Sequence, residues 1–137
     1  MAMGKQLPRG LRNNNPLNIR KGDKWQGLAP VQSDPDFCIF VSMEWGLRAA
    51  FVILFNYLKK KVDTPDKIIK RWAPPSENKT ESYIEFVCTR GSLDRHARIL
   101  KTDKQKLCRL VWAMAQYECG SIVSFGLIEN AYSLALH

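Results

Sequence analysis

With 137 residues, 45% of them hydrophobic and 25% charged, the chain has the composition of a single globular domain able to bury a core, not of a disordered protein. The longest apolar run, Ala49–Phe55, is too short to span a bilayer, and Met1–Arg9 lacks the apolar centre of a signal peptide. The net charge of +8 favours a polyanionic partner: nucleic acid, an anionic membrane surface or a bacterial wall.

Residues 1–8 read as a flexible tail. The string Arg9-Gly10-Leu11-Arg12-Asn13-Asn14-Asn15-Pro16-Leu17-Asn18-Ile19-Arg20 follows, with Trp25 just downstream. Three amides before a proline cannot be helix interior, because Asn competes for backbone hydrogen bonds and Pro16 disfavours the α region at Asn15. Such a loop can point Asn13, Asn14 and Asn15 outward beside the Trp25 indole. That would suit an amino-sugar ligand, whose ring stacks on apolar surface while amides read its substituents. It can equally be a polar turn bonded to itself. Between Leu17 and Val41 the chain is broken by Gly22, Gly27, Pro30 and Pro35. Short β-like pieces at Asn18–Arg20, Trp25–Gln26 and Phe37–Val41 suggest a small β-containing lobe near the N-terminus.

The remainder reads as helical. Ser42 can cap a helix to about Lys61, with an apolar stripe of Trp45, Ala49, Val52, Leu54, Phe55 and Leu58. Thr64-Pro65 opens a short helix through Arg71. Thr80 caps another that stops near Gly91, and Ser92–Leu100 reads as a further short helix. Thr102 with Gln105 forms a capping box for a long apolar helix from Asp103 to about Tyr117, and a last helix fills Leu127–Leu136. The expected fold is mainly α, one domain over residues 1–137.

The cations gather in short clusters, Lys59–Lys61 and Lys67 with Lys70-Arg71. Such clusters are more often solvated helix ends and faces than binding stripes. Cys38, Cys88, Cys108 and Cys119 contain no CxxC pair, and only His96 and His137 could add imidazoles. That spacing points to reduced, buried thiols and implies neither a metal site nor a cofactor.

Glu118 closes the long apolar helix beside Gly120, a natural left-handed cap. A carboxylate there faces the negative end of the dipole, and apolar surroundings also favour its protonated form. A general acid for glycosidic cleavage needs that property. The same position would equally suit a solvent-facing Glu that only frays the helix.

The motif Arg-Gly-x-Arg-Asn-Asn-Asn-Pro-x-Asn-Ile-Arg, then Trp-x-Gly, then Arg71-Trp72-Ala73-Pro74-Pro75-x-Glu77-Asn78-x-Thr80-x-x-Tyr83, resembles a family of small phage-associated proteins described as structural or lysozyme-like. A weaker resemblance is to the glucosaminidase and lytic transglycosylase branch of the lysozyme superfamily, with its parts in rotated order. Asn14–Arg20 resembles that branch's amide loop, Trp25 its tryptophan, and Phe37–Val41 its strand. Thr80–Tyr83 resembles the late Thr/Tyr segment, and Glu118-Cys119-Gly120 the Glu-Ser-Gly that ends its catalytic helix. Together these imply a circularly permuted, lysozyme-like helical domain, a rearrangement that the proximity of chain ends makes easy. The arrangement requires Asn13–Asn15 and Glu118 to meet across one cleft. Cys119 departs from the usual serine, and Leu17 stands where phage relatives often have glycine.

The resemblance implies a peptidoglycan-cleaving glycosidase in which Glu118 serves as acid and then base and Asn13, Asn14, Asn15 and Trp25 bind glycan. Tyr83 would position Glu118 or the sugar, or equally be a core tyrosine on its helix. An ordinary glycosidase would need a second acid. Glu44 is a candidate, though its position better suits a partner of the helix dipole. Asp23 and Asp34 read as turn residues first. Glu77 and Asn78 could line the cleft or cap the helix at Thr80, and Trp72 reads as core. The expected partners are peptidoglycan strands, with virion or secretion-apparatus components as the route from cytoplasm to wall. The rival readings are a virion or wall-binding protein that keeps the fold without the reaction, a helical nucleic-acid-binding module, and a Cys119–His hydrolase.

Overall fold

The computed structural model describes residues 7–74 and 79–137. Six helices stand among them: α1 (Arg9–Arg12), α2 (Met43–Lys59), α3 (Pro65–Trp72), α4 (Thr80–Gly91), α5 (Lys104–Cys119) and α6 (Phe125–Ala135). The fold is therefore mainly α. Of the tail assigned to residues 1–8, Leu7 and Pro8 are described, and Pro8 already accepts a hydrogen bond from Arg12 N at 3.0 Å.

The core lies between α2, α4, α5 and α6. α2 packs on α6, α4 on α5, and α5 on α6. α5 buries Leu107, Leu110, Val111 and Met114 completely, and each such side chain stabilises the fold by about 1.5–3 kcal/mol relative to exposure. On α2 the buried face comprises Leu47, Ala49, Ala50, Phe51, Leu54 and Phe55. Trp45, Val52 and Leu58, expected on that stripe, are only partly buried. Phe51 and Phe55 meet the edge of Tyr132 on α6 at 5.6 and 6.0 Å between ring centroids.

Local signals set several boundaries. Ser42 Oγ accepts from Trp45 N at 3.4 Å at the start of α2, and Pro65 opens α3. Gly120 closes α5 in the left-handed region (φ 74°). Other expectations give way to longer-range bonds. Thr80 does not cap α4 but is its first residue, and its hydroxyl donates to Ala73 O at 2.8 Å, tying α4 to the end of α3. The Thr102 capping box is absent because Asp103 is the cap residue and its carboxylate accepts from Leu100 N at 2.9 Å. Ser92–Leu100 is not helical. Its backbone bonds outward instead, Ile99 N to Asp63 O at 2.7 Å and Arg95 O from Asp66 N at 3.1 Å.

The β-containing lobe reduces to two isolated antiparallel bridges, Arg20 with Phe37 and Leu28 with Phe40. No strand forms among the described residues there, and Trp25–Gln26 has no bridge partner. Pro30 and Pro35 interrupt any ladder, and side-chain amides replace it. Gln32 Nε2 donates to Ala29 O at 3.0 Å and Ile39 O at 2.7 Å, while its Oε1 accepts from Ile39 N at 2.8 Å. The four cysteines are unbridged, and three of them are buried. Burial pushes the Cys108 thiol up to about 11.

Candidate active site around Glu118

The asparagine loop is built inward. Asn15 is fully buried. Its Nδ2 donates to Ile19 O at 2.9 Å and Cys38 O at 3.0 Å, and its Oδ1 accepts from Ile19 N at 2.9 Å. Asn14 Nδ2 donates to Phe40 O at 2.9 Å, and Asn13 Nδ2 to Asp34 Oδ2 at 3.0 Å. These three amides therefore hold the loop against residues 34–40 and do not face a ligand. Unpaired carbonyls buried there would each cost a hydrogen bond, so the amides are spent where the missing ladder leaves a deficit.

Asp34 anchors the same loop. Its carboxylate accepts from Arg9 Nε at 2.6 Å and from the Asp36 and Phe37 amides at 2.9 Å each. The Arg9 guanidinium, helped by Asn13 and those two amides, holds the Asp34 carboxyl well below the usual carboxylate range.

One amide of the loop does reach the helix end. Asn18 adopts a left-handed backbone (φ 54°), a region that asparagine tolerates better than most residues. Its Nδ2 lies 3.3 Å from Glu118 Oε1 and 3.4 Å from Glu118 O, donating to both. On the other side, Tyr83 Oη of α4 donates to Glu118 Oε2 at 2.9 Å. Tyr83 is stacked on Tyr117 at 3.9 Å between centroids. Burial pushes the Tyr83 phenol well above its ordinary range, with the neighbouring Glu118 carboxylate adding to the effect. Tyr83 is thus a proton-bearing donor at neutral pH.

Glu118 stands where two cavities adjoin. The larger, about 340 Å³, is lined by Leu17, Asn18, Ile19, Arg20, Asp23, Phe37, Ile53, Tyr57, Trp72, Ala73 and Glu118. The smaller, about 230 Å³, is lined by Ala73, Lys79, Thr80, Tyr83, Tyr117 and Glu118. Both share Ala73 and the carboxylate. Aromatic faces, a guanidinium and an ammonium thus line the two cavities around one carboxyl that accepts from Tyr83 and Asn18 among the described residues. That arrangement can orient a polar, ring-containing chain and exchange a proton with it.

Of the residues singled out in the sequence, Glu118 and Tyr83 come together as expected. Asn13, Asn14 and Asn15 do not join them, and Trp25 lines neither cavity. It packs partly buried against the core, its Nε1 buried and without a hydrogen-bond partner among the described residues. Glu44 also lines neither cavity and occupies the first turn of α2, where its charge complements the dipole. Asp23 does line the larger cavity, as does Trp72, which was read as core and meets the Tyr57 ring edge at 6.4 Å. Glu77 and Asn78 lie outside the described residues. Asn18 was legible only as part of the motif. Its spacing from Pro16, in a turn that needs a left-handed residue, is the signal that could have singled it out.

No protein-family model matches the chain. It is 38% identical over 121 residues to Protein P5 of Pseudoalteromonas phage PM2, a match covering 85% of this chain and 74% of that protein. At that identity and coverage the chain belongs to the family of this phage protein P5.

Proposed function

We propose that the chain is a peptidoglycan-cleaving glycosidase of lysozyme-like, circularly permuted arrangement, with Glu118 as its acid and base. The observation that carries this reading is the grip on Glu118: Tyr83 Oη at 2.9 Å and Asn18 Nδ2 at 3.3 Å, at the junction of two cavities lined partly by aromatic rings. A glycan lying across both cavities would set one glycosidic oxygen at the carboxyl. Glu118, held as a carboxylate by its donors, takes a proton from solvent, gives it to that oxygen as the C–O bond breaks, and recovers one from the next hydroxyl to attack the sugar. Where the attacker is the muramic acid 6-hydroxyl, an anhydro ring forms and no water is consumed. Where it is water, a reducing end results.

The permuted arrangement requires Asn13–Asn15 to meet Glu118, and they turn instead to Asp34, Phe40 and Cys38. What supports the permuted reading is the narrower contact made by Asn18 and Tyr83. The asparagine loop reaches Glu118 through Asn18, and the Thr80–Tyr83 segment reaches it through the phenol. Among the described acids that line either cavity, Asp23 stands with Glu118 in the larger one, so Asp23 replaces Glu44 as the candidate second carboxylate. Membership in a phage protein family fits delivery to the wall by a virion. No helix among the described residues is long and apolar enough to cross a membrane.

Incubation of purified peptidoglycan with the protein, followed by mass spectrometry of released fragments, tests the reading. Anhydro-muramyl products identify a lytic transglycosylase, and reducing ends identify a hydrolase. Intact peptidoglycan that nevertheless retains the protein would make it a wall-binding or structural virion protein.

A further inference from the structure

The cations left outside the groove form a surface of their own. Lys67, Lys70 and Arg71 on α3 are exposed, and with Val62 they enclose a shallow depression of about 290 Å³. The depression opens beside the end of α2, whose last turn and following residues add Lys59, Lys60 and Lys61, all exposed. Among the described residues none of these six cations has an ion-pair partner, since the pairs present use other cations. Asp66 and Glu81 feel the field of Lys70 without pairing with it. Unpaired cations around a concavity raise the local positive potential and attract anions from solution.

This surface is continuous with the Glu118 groove. The Arg71 guanidinium lies over the Tyr57 ring at 5.8 Å, and Tyr57 and its edge-on neighbour Trp72 both line the larger cavity. Trp72 follows Arg71 directly in α3, so one helix end presents the aromatic wall to the groove and the cations to the surface beyond. A linear polymer that fills the larger cavity beside Trp72 lies next to the depression that Arg71 lines, and negative groups along its length would meet the cations there.

We propose that the Lys67–Lys70–Arg71 depression is a binding site for the carboxylates of peptide stems on the same peptidoglycan strand whose glycan backbone occupies the groove. This rests on the glycosidase reading for the identity of the polymer, and it adds a second anchoring point outside the reacting residues. A neutral glycan would gain nothing there. A strand bearing stems would gain several screened ion pairs, individually weak, which together hold the enzyme on the wall between cleavages.

Co-sedimentation with purified sacculi tests the proposal without depending on cleavage. The comparison is made in a Glu118→Gln background, between otherwise unaltered protein and the double charge reversal Lys67→Glu/Lys70→Glu. The milder pair Lys67→Gln/Lys70→Gln guards against misfolding, as does agreement of the circular dichroism spectra. The reversal is expected to weaken binding to native sacculi about tenfold at low salt and the neutral pair by less, the difference shrinking as salt rises. Sacculi whose carboxyl groups have been blocked by amidation should bind all three proteins alike. Equal binding of the three proteins to native sacculi would overturn the proposal. So would a loss of duplex DNA binding with wall binding intact, which would assign the depression to nucleic acid. If the protein with Glu118 in place leaves peptidoglycan uncleaved, the glycosidase reading fails, whereas the stem-binding result is read independently from the sedimented fraction.

Discussion

Tyr83 and Glu118, 35 positions apart, are joined by a hydrogen bond of 2.9 Å from the phenol to carboxylate oxygen Oε2. The phenol cannot readily ionise because it is buried beside that carboxylate, so the proton stays on Tyr83 and the bond has one direction. The consequence is a carboxylate whose orientation is set by α4 on one side and, through Asn18, by the N-terminal loop on the other.

Removing the phenol hydroxyl should therefore cost turnover more than stability. Tyr83→Phe keeps the stack on Tyr117 and loses one hydrogen bond, so its unfolding free energy should fall by about 1 kcal/mol. Its rate of peptidoglycan clearance should fall by about tenfold to a hundredfold. Chemical denaturation alongside a turbidity assay separates the two effects.

Asn15 and Asn18 are three positions apart and should fail in different ways. Asn15→Ala removes three buried hydrogen bonds and takes their side-chain partner from the Cys38 carbonyl and the Ile19 amide, while Ile19 O keeps the Cys38 amide at 3.0 Å. A loss of about 3 kcal/mol or more is expected. Asn18→Ala removes a partly buried contact to Glu118 and should lower cleavage, with a stability loss of about 1–2 kcal/mol from placing alanine in the left-handed region at φ 54°, less than that of Asn15→Ala. Urea titrations of the two variants, with clearance rates for Asn18→Ala, check the contrast.

The loop also depends on a bare backbone in α2. A Cβ at Gly46 would stand 1.9 Å from Asn14 O and 3.0 Å from Asn14 C. Both atoms are main chain, so neither can swing aside. Gly46→Ala should destabilise the protein by about 3 kcal/mol through overpacking, despite alanine's better helix propensity. Its thermal midpoint against the unaltered protein gives the answer.

Acid should undo the Asp34 anchor. Its folded-state affinity for a proton is depressed by Arg9 and its other donors, so the stabilisation is fully present above the unfolded value near 4. It declines as pH falls below that value and is lost once the pH passes the folded value. Asp34→Asn should be less stable than the unaltered protein at pH 7 and should show a shallower loss of stability between pH 4 and about 2. Denaturant midpoints across that range measure it.

What the sequence disclosed follows from the reach of each interaction. Ser42, the Thr64-Pro65 pair and Gly120 act within one turn of chain, and the helices they bound stand nearly where local rules place them. The acid at the end of α5 was legible for the same reason, since a glutamate beside a capping glycine is a local pattern. Asn13, Asn14 and Asn15 were misread because their partners, Asp34, Phe40 and Cys38, lie more than twenty positions away. A polar run looks solvent-facing until the carbonyls it serves are known. Ser92–Leu100 failed likewise, its backbone being claimed by Asp63 and Asp66. Trp72 packs edge-on to Tyr57 and lines the larger cavity with it, a placement that no helical periodicity reveals.

The central claim is that Glu118 is the reacting acid, and turbidity loss of purified peptidoglycan by the unaltered protein and by Glu118→Gln tests it most directly. The account predicts clearance by the former and a fall of at least about a thousandfold in the latter, with the folded state of both verified by circular dichroism. Equal clearance by the two proteins, or none by either, would contradict it.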